Sequence, residues 1–145
     1  MFRDREIELA WAAGLFDGEG SICIAANRTN GDRSKIQHRL FVRLGMTNKA
    51  CVDKFSSIIG FGKVYERKKR LPLKMQWEWV VADRAACRAL LVFMEYLVLK
   101  KPEAEVSVAF ALEKSSRNHA GIKVSPELFA KRESVRRTLQ EMKRV

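Results

Sequence analysis

No stretch of this sequence approaches the roughly 18 consecutive apolar residues that a membrane span needs, so a membrane partner is not expected. Cysteine is scarce: Cys23, Cys51 and Cys87 are well separated, odd in number, and form no Cys-x-x-Cys pair. That argues against a disulfide framework or a zinc site and reads as small buried thiols in a reducing compartment. Low-complexity tracts and strong internal repeats are missing. The first residues, Met1-Phe2-Arg3-Asp4-Arg5-Glu6, are charged and lead into a helix with acids inside it, a poor signal peptide.

Acids are also in short supply. Lysine and arginine number 28 against 17 aspartate and glutamate, a formal charge of +11 on 145 residues. A chain of this length fits one domain with a single core, and 47% hydrophobic content supports it. A domain this basic favours a polyanionic partner, because each phosphate it neutralises releases counterions. Charge alone separates neither DNA from RNA or an acidic membrane, nor a reader from an enzyme.

Hydrophobic spacing predicts a first helix from Arg5 to Asp17, with Ile7, Ala10, Trp11, Gly14 and Leu15 at helical intervals. Gly18-Glu19-Gly20 is expected to stop it. Ser21 to Asn27 reads as a strand with Ile22, Ile24 and Ala26 on its apolar side. A turn-rich loop, 28–34, leads to a second strand. There His38, Leu40, Val42, Leu44 and Met46 alternate with Arg39, Phe41, Arg43, Gly45 and Thr47. A helix from Asn48 to Ile59, capped by Thr47 or Asn48, is broken by Gly60-Phe61-Gly62. Two more strands follow, Lys63 to Arg67 and Lys74 to Ala82, the latter with Met75, Trp77, Trp79 and Val81 on one side. Helices are then expected from Asp83, as N-cap, to Tyr96, from Pro102 to Arg117, and from Pro126 to Arg144 behind a Ser125 cap.

This order predicts an α+β domain in which four antiparallel strands carry helices on one face and leave the other open, polar and basic. Residues 1–117 form the core domain, and 118–145 a linker with a basic C-terminal helix. That helix carries Lys131, Arg132, Arg136, Arg137, Lys143 and Arg144, and suits a solvated face, a phosphate clamp or an addition to a dimer. Trp77, Trp79 and His38 read as core residues, and His119 as an exposed linker residue.

Ala10, Ala13, Gly14 and Asp17 lie at i, i+3, i+4 and i+7 on the first helix, a stripe smooth enough for a second backbone to approach closely. The plainer alternative is that Gly14 packs on the chain's own sheet. The segment Ala12-Ala13-Gly14-Leu15-Phe16-Asp17-Gly18-Glu19-Gly20, flanked by Leu9-Ala10-Trp11 and Ser21-Ile22-Cys23-Ile24, resembles the LAGLIDADG motif of homing endonucleases. The likeness extends through the α-β-β-α-β-β-α order from about residue 5 to 117, the fold whose sheet saddles DNA. With one motif per chain, the resemblance implies a homodimer whose interface holds Ala10, Ala13, Gly14 and Asp17.

Two crossed helices would bring two Glu19 side chains to the symmetry axis, at helix ends where the dipole is already negative. A hard divalent cation relieves that repulsion and can polarise a phosphate oxygen. The resemblance implies the same: Glu19, in place of the commoner aspartate, and Gly18 at the metal, which is Mg2+, with Ca2+ or Mn2+ able to occupy the sites in vitro. The resemblance also implies that Asp17, the first acid, closes the helix end and bonds backbone across the interface, the alternative being direct contact with the metal. Related enzymes place a polar residue at the start of the second helix and a lysine after the third, which makes Asn48 and Lys100 catalytic candidates. The plainer readings are an N-cap and a helix-end lysine. The family's arginine early in the second helix has no equivalent, since Val52 falls near it, and Lys49 is the substitute at hand. Two histidines without His-Asn-His spacing offer no rival nuclease chemistry.

The expected partner is a double-stranded DNA target, not a small molecule, cut by metal-dependent phosphodiester hydrolysis at a long pseudo-palindromic site with short 3′ overhangs. Ser21, Cys23, Asn27, Arg39, Phe41, Arg43, Lys63, Tyr65, Arg67, Gln76 and Glu78 are the groove-facing candidates. Arg28, Arg33, Lys35, Lys68, Lys69 and Arg70 suit phosphates. The alternatives are a catalytically inactive DNA-binding protein or an RNA maturase of the same fold, the one case in which RNA is the partner, or a general basic scaffold. The resemblance places the protein inside cells, in a bacterial or phage-infected cytoplasm or in a chloroplast or mitochondrion.

Overall fold

A computed structural model describes residues 2–28, 36–68, 75–117 and 124–144. The elements are α1 (Phe2–Glu19), β1 (Gly20–Arg28), β2 (Ile36–Met46), α2 (Lys49–Ile59), β3 (Lys63–Arg67), β4 (Gln76–Ala82), α3 (Asp83–Phe93), a 3-10 turn (Met94–Tyr96), α4 (Lys101–Arg117) and α5 (Pro126–Met142). The strands form one antiparallel sheet in the order β1-β2-β4-β3.

The period-2 pattern of β2 sorts the sheet into two faces. His38, Leu40, Val42 and Leu44 are buried, with Ile22, Ile24, Trp79 and Val81 beside them on the neighbouring strands. Each fully buried aliphatic side chain contributes about 1.5–3 kcal/mol. The helices close over this face, and four aromatic rings join them to it. Phe16 of α1 lies 5.1 Å from Phe93 and 6.2 Å from Phe55, whose ring stands 4.9 Å from Trp79. Trp79 donates its indole hydrogen to the Phe61 carbonyl at 3.0 Å. The chain passes so close there that a Cβ on Gly62, which sits at φ +97°, would collide with the indole. Trp77, expected in the core, is half-buried and carries Lys49 over its ring at 5.2 Å.

Several boundaries differ from the sequence expectation. α1 runs through Gly18 to Glu19, two residues past the expected end at Asp17 but inside the Gly18-Glu19-Gly20 segment expected to stop it. A lone glycine costs a helix about 1 kcal/mol, not enough to end one whose other side is packed. The close turn comes at Gly20, where any side chain would overlap the Phe16 ring. Met75 precedes β4 and is exposed, and Ala26 is exposed at the far end of β1. Asp83 is no N-cap. Its backbone is left-handed, φ 52°, and its carboxylate binds cations instead. Asn48 does cap α2, accepting from the Cys51 amide at 3.1 Å, and Ser125 caps α5, accepting from Leu128 at 3.2 Å. Lys74 and His119 lie outside the described residues.

The C-terminal helix packs on α4 and β1 and contributes Leu139 to the core. Its three arginines meet acids: Arg132 is buried 3.6 Å from Glu113, Arg136 pairs with Glu133, and Arg137 lies 3.8 Å from Glu133. Glu133 also accepts from His38 Nε2 at 2.9 Å, giving the buried histidine a carboxylate partner. Hydrogen bonds from Arg136 and then His38 hold the Glu133 carboxyl down at about 2, from an ordinary 4.5.

A depressed carboxyl stabilises the fold above its unfolded value and loses that contribution as pH falls through its folded value. The stability difference between the wild type and Glu133→Gln should therefore shrink as pH falls from 4.5 towards 2. Urea unfolding at stepped pH measures it, and a gap that stays level over that window contradicts the pairing.

Candidate nuclease site and DNA-facing surface

The end of α1 is fixed from within the chain. Asp17 accepts from the backbone amides of Val98 at 2.8 Å and Lys100 at 2.9 Å, one through each carboxylate oxygen. The Lys100 amine returns to the Asp17 carbonyl at 2.6 Å. Three bonds thus join the last turn of α1 to the segment before α4, more than 80 residues on. Asp17 was expected to bond backbone across an interface, and the backbone it binds belongs to its own chain. Lys100 was placed by sequence near the motif, and the structure brings its amine within two residues of Glu19 along α1. Glu19, the last residue of α1, is exposed beside Gly18, and no described residue pairs with its carboxylate.

One side of α1 is bare. Ile7 is 59% exposed, Ala10 and Gly14 are exposed, and a Cβ on Gly14 or Gly18 would meet no described residue within 4 Å. Ala13 does not belong to that stripe. It is fully buried with Ala12 and Phe16 in the chain's own core. Two apolar residues beside the same helix end were not foreseen: Val98 is 83% exposed and Leu99 70%. A run of Leu97-Val98-Leu99 past the end of a helical repeat was the signal available for them.

The open face of the sheet is ordered in rows by strand register. Ser21, Arg43, Val80 and Lys63 form one row across all four strands. Cys23 pairs with Phe41 and Ala25 with Arg39, while Gly45, Glu78 and Tyr65 lie on the other side of the first row. Gln76 pairs with Arg67, and Asn27 with Gln37. Ser21, Asn27, Lys63, Tyr65, Arg67 and Lys68 are exposed, and Cys23, Arg39, Phe41, Arg43, Gln76 and Glu78 half-buried. Lys69, Arg70, Arg33, Lys35 and the side chain of Arg28 lie outside the described residues.

These cations are held by aromatic and acidic neighbours. The Arg39 and Arg43 guanidiniums lie 5.1 and 4.9 Å from the Phe41 ring centre. Glu78, expected to accept from a cytosine, is engaged by Arg67 at 2.9 Å and Arg43 at 4.0 Å. Asn48, expected near the reaction, commits its oxygen to the α2 cap.

The LAGLIDADG endonuclease family profile matches residues 12–102, well over half of the chain. The chain belongs to the LAGLIDADG endonuclease family. No curated protein matches it. Among solved structures, the homing endonuclease I-CvuI, crystallised with the I-CreI target in the presence of magnesium and with the DNA not cleaved, is similar at TM-score 0.77. It shares 19% identity over 96% of this chain and 83% of that one. The archaeal intron-encoded homing endonuclease I-Vdi141I, complexed with DNA, gives TM-score 0.75 and 12% identity over 94% and 84%. I-GzeII with its DNA target gives 0.71 and 16%, covering 88% of this chain but 43% of that one. What is shared at such identities is the LAGLIDADG fold, an α+β sheet with helices on one face. Among the described residues, no helix is long and apolar enough to cross a membrane.

Asp17→Asn keeps the shape but turns an N–H donor against a backbone donor. We expect a loss of about 1–3 kcal/mol in urea unfolding, the penalty for a broken charged hydrogen bond with an unpaired donor. Amide exchange at Val98 and Lys100 should quicken with it. Unchanged exchange at both would show that Asp17 does not hold this segment.

Proposed function

We propose that the chain is a site-specific homing endonuclease that acts on double-stranded DNA as a homodimer. The observation that carries this reading is the end of α1: Glu19 exposed, Lys100 locked beside it, and a bare small-residue face running back to Ile7. Gly14 and Gly18 let a second backbone approach closely, and the exposed apolar Ile7, Val98 and Leu99 supply area to bury. The natural occupant is α1 of a second copy, which places two Glu19 residues at one axis. I-GzeII supports this, since the region matched is under half of its chain, leaving length for a second such unit.

The donor set fits a divalent ion of the Mg2+ type. Glu19 and the Gly18 carbonyl are hard oxygen donors, and among the described residues one chain holds no cluster of three acidic, histidine or cysteine side chains. Two chains and the DNA phosphates would complete the shell. The ion supplies Lewis-acid polarisation of the scissile phosphate. I-CvuI has been crystallised with DNA in magnesium and in calcium, consistent with such an ion.

The chain's own residues have separable tasks. Glu19 holds negative charge at the helix end. Lys100, anchored through its amine on the Asp17 carbonyl, presents a cation to the phosphate in the transition state. Asn48 has its amide nitrogen left to order solvent. The Arg39–Phe41–Arg43 ladder and the Lys63, Tyr65 and Arg67 edge read the groove, and a two-fold dimer reads a pseudo-palindrome. Short 3′ overhangs and an intracellular setting complete the proposal.

Glu19→Gln tests it. The variant should bind a target duplex as the wild type does in Ca2+, and should cleave it at least about 100-fold more slowly in Mg2+, as expected for loss of an electrostatic group at the reacting phosphate. Cleavage at the wild-type rate would remove Glu19 from the chemistry.

A further inference from the structure

Asp83 is the one non-glycine residue with a left-handed backbone among the described residues, φ 52°. Such a conformation is strained, and persists where the surroundings over-determine it. Here the surroundings are two cations from two elements. Arg39 of β2 donates through Nε to Asp83 Oδ2 at 2.9 Å, and Lys114 of α4 approaches Oδ1 at 3.4 Å. Lys114 is nearly buried, and it also donates to the carbonyl of His38, the residue before Arg39, at 2.6 Å. Burial pushes its amine below the usual value, with Asp83 opposing that shift. Asp83 and Lys114 line a cavity of about 340 Å³ with Gln37, Leu40 and Phe110. Asp83 is therefore unpacked on its cavity side, and the cations hold the carboxylate in place.

The consequence falls on Arg39. Its Nε is taken by Asp83 and its guanidinium lies by the Phe41 ring, while no described residue bonds its two terminal nitrogens. A guanidinium fixed through Nε keeps the rigid two-nitrogen fork that matches guanine O6 and N7. An arginine needed only for phosphate attraction gains nothing from an adjacent carboxylate, which weakens its field. Along β1, the partner of Arg39 (Ala25) lies four residues beyond the partner of Arg43 (Ser21), away from Glu19. Four strand residues span about 13 Å, or about four base-pair steps of about 3.4 Å.

We propose that Asp83 is a positioning residue for DNA reading: with Lys114 behind it, it clamps Arg39 as a guanine-specific fork, about four base pairs further from the dimer axis than the pair facing Arg43. This rests on the reading of the open sheet face as the DNA surface. It makes Asp83 a determinant of specificity at one position of each half-site, without a base contact of its own.

The test is selection of bound sequences from a randomised duplex library in Ca2+, which needs no cleavage. The full-length wild type is compared with Asp83→Asn, Arg39→Ala and the double variant. Asparagine tolerates the left-handed backbone, and Asp83→Gly, for which φ 52° carries no strain, is a second variant should the first fold poorly. The wild type should select guanine at one position per half-site, and Arg39→Ala should lose that preference by roughly 5- to 100-fold. Asp83→Asn and Asp83→Gly should each weaken preference at the same position by at least about three-fold. Their affinity for non-specific duplex should hold or rise, because a carboxylate has left the surface. The double variant should show no loss beyond Arg39→Ala. Equal weakening across all sequences, or a change of preference by Asp83→Asn in the Arg39→Ala background, overturns the inference. A wild type that selects a clear site, with Asp83 variants that select the same one, overturns the inference but leaves the endonuclease reading standing. A wild type with no sequence preference overturns both.

Discussion

Everything that makes this domain more than a basic sheet is arranged around the carboxylate of Asp17. A helix ending in Asp-Gly-Glu would fray if left alone, because its last carbonyls lack partners and glycine adds backbone freedom. Two amides from the segment before α4 close it through one side chain, and the Lys100 amine closes it again through a carbonyl. Lock and lysine come together: the contact that stops the fraying also places the Lys100 amine at the candidate site. One flank of α1 is then committed to the core through Ala12, Ala13 and Phe16, and the other is left smooth and uncovered.

The sheet repeats this division of labour. Its buried face is filled by alternate residues of β2 and β4, and its open face carries the cations. Acids on that face do little for stability, since exposed ion pairs contribute about 0–1 kcal/mol. Their effect is on orientation. Glu78 gathers Arg43 and Arg67, and Asp83 holds Arg39, so long side chains that would otherwise sample many rotamers are ordered in advance. Ordering such a side chain on binding costs about 0.5–1.5 kcal/mol, which the free protein has then already met. The C-terminal helix joins the scheme from behind. Through Glu133 it steadies His38, which neighbours Arg39 and gives its carbonyl to Lys114.

The strands were readable because alternation is a local property. His38, Leu40, Val42 and Leu44 are all buried as their spacing requires, and the nine-residue motif located Glu19 at the helix end. What was not readable depends on distant partners. Asp83 looks like a cap because aspartate before a helical run usually is one, and only Arg39 and Lys114, 44 and 31 residues away, reveal its other task. His38 was placed in the core correctly, but its partner Glu133 lies 95 residues on. Ala13 was assigned to the free stripe because i, i+3 and i+4 share a face. The rotation of α1 is set by Phe16 and Ala12 seeking the sheet, which carries Ala13 inward and leaves Ile7, Ala10, Gly14 and Gly18 outside.

The uncovered flank of α1 is the seat proposed for a second copy of the chain. Sedimentation equilibrium of the full chain at micromolar concentration decides this, beside a Gly14→Trp variant whose new side chain starts from a Cβ that no described residue of the single chain approaches within 4 Å. The wild type should show a mass about twice the 16.6 kDa of the chain, and the variant the single-chain mass. A wild type that stays single while bound to its target duplex, or a variant that pairs as readily as the wild type, would contradict it.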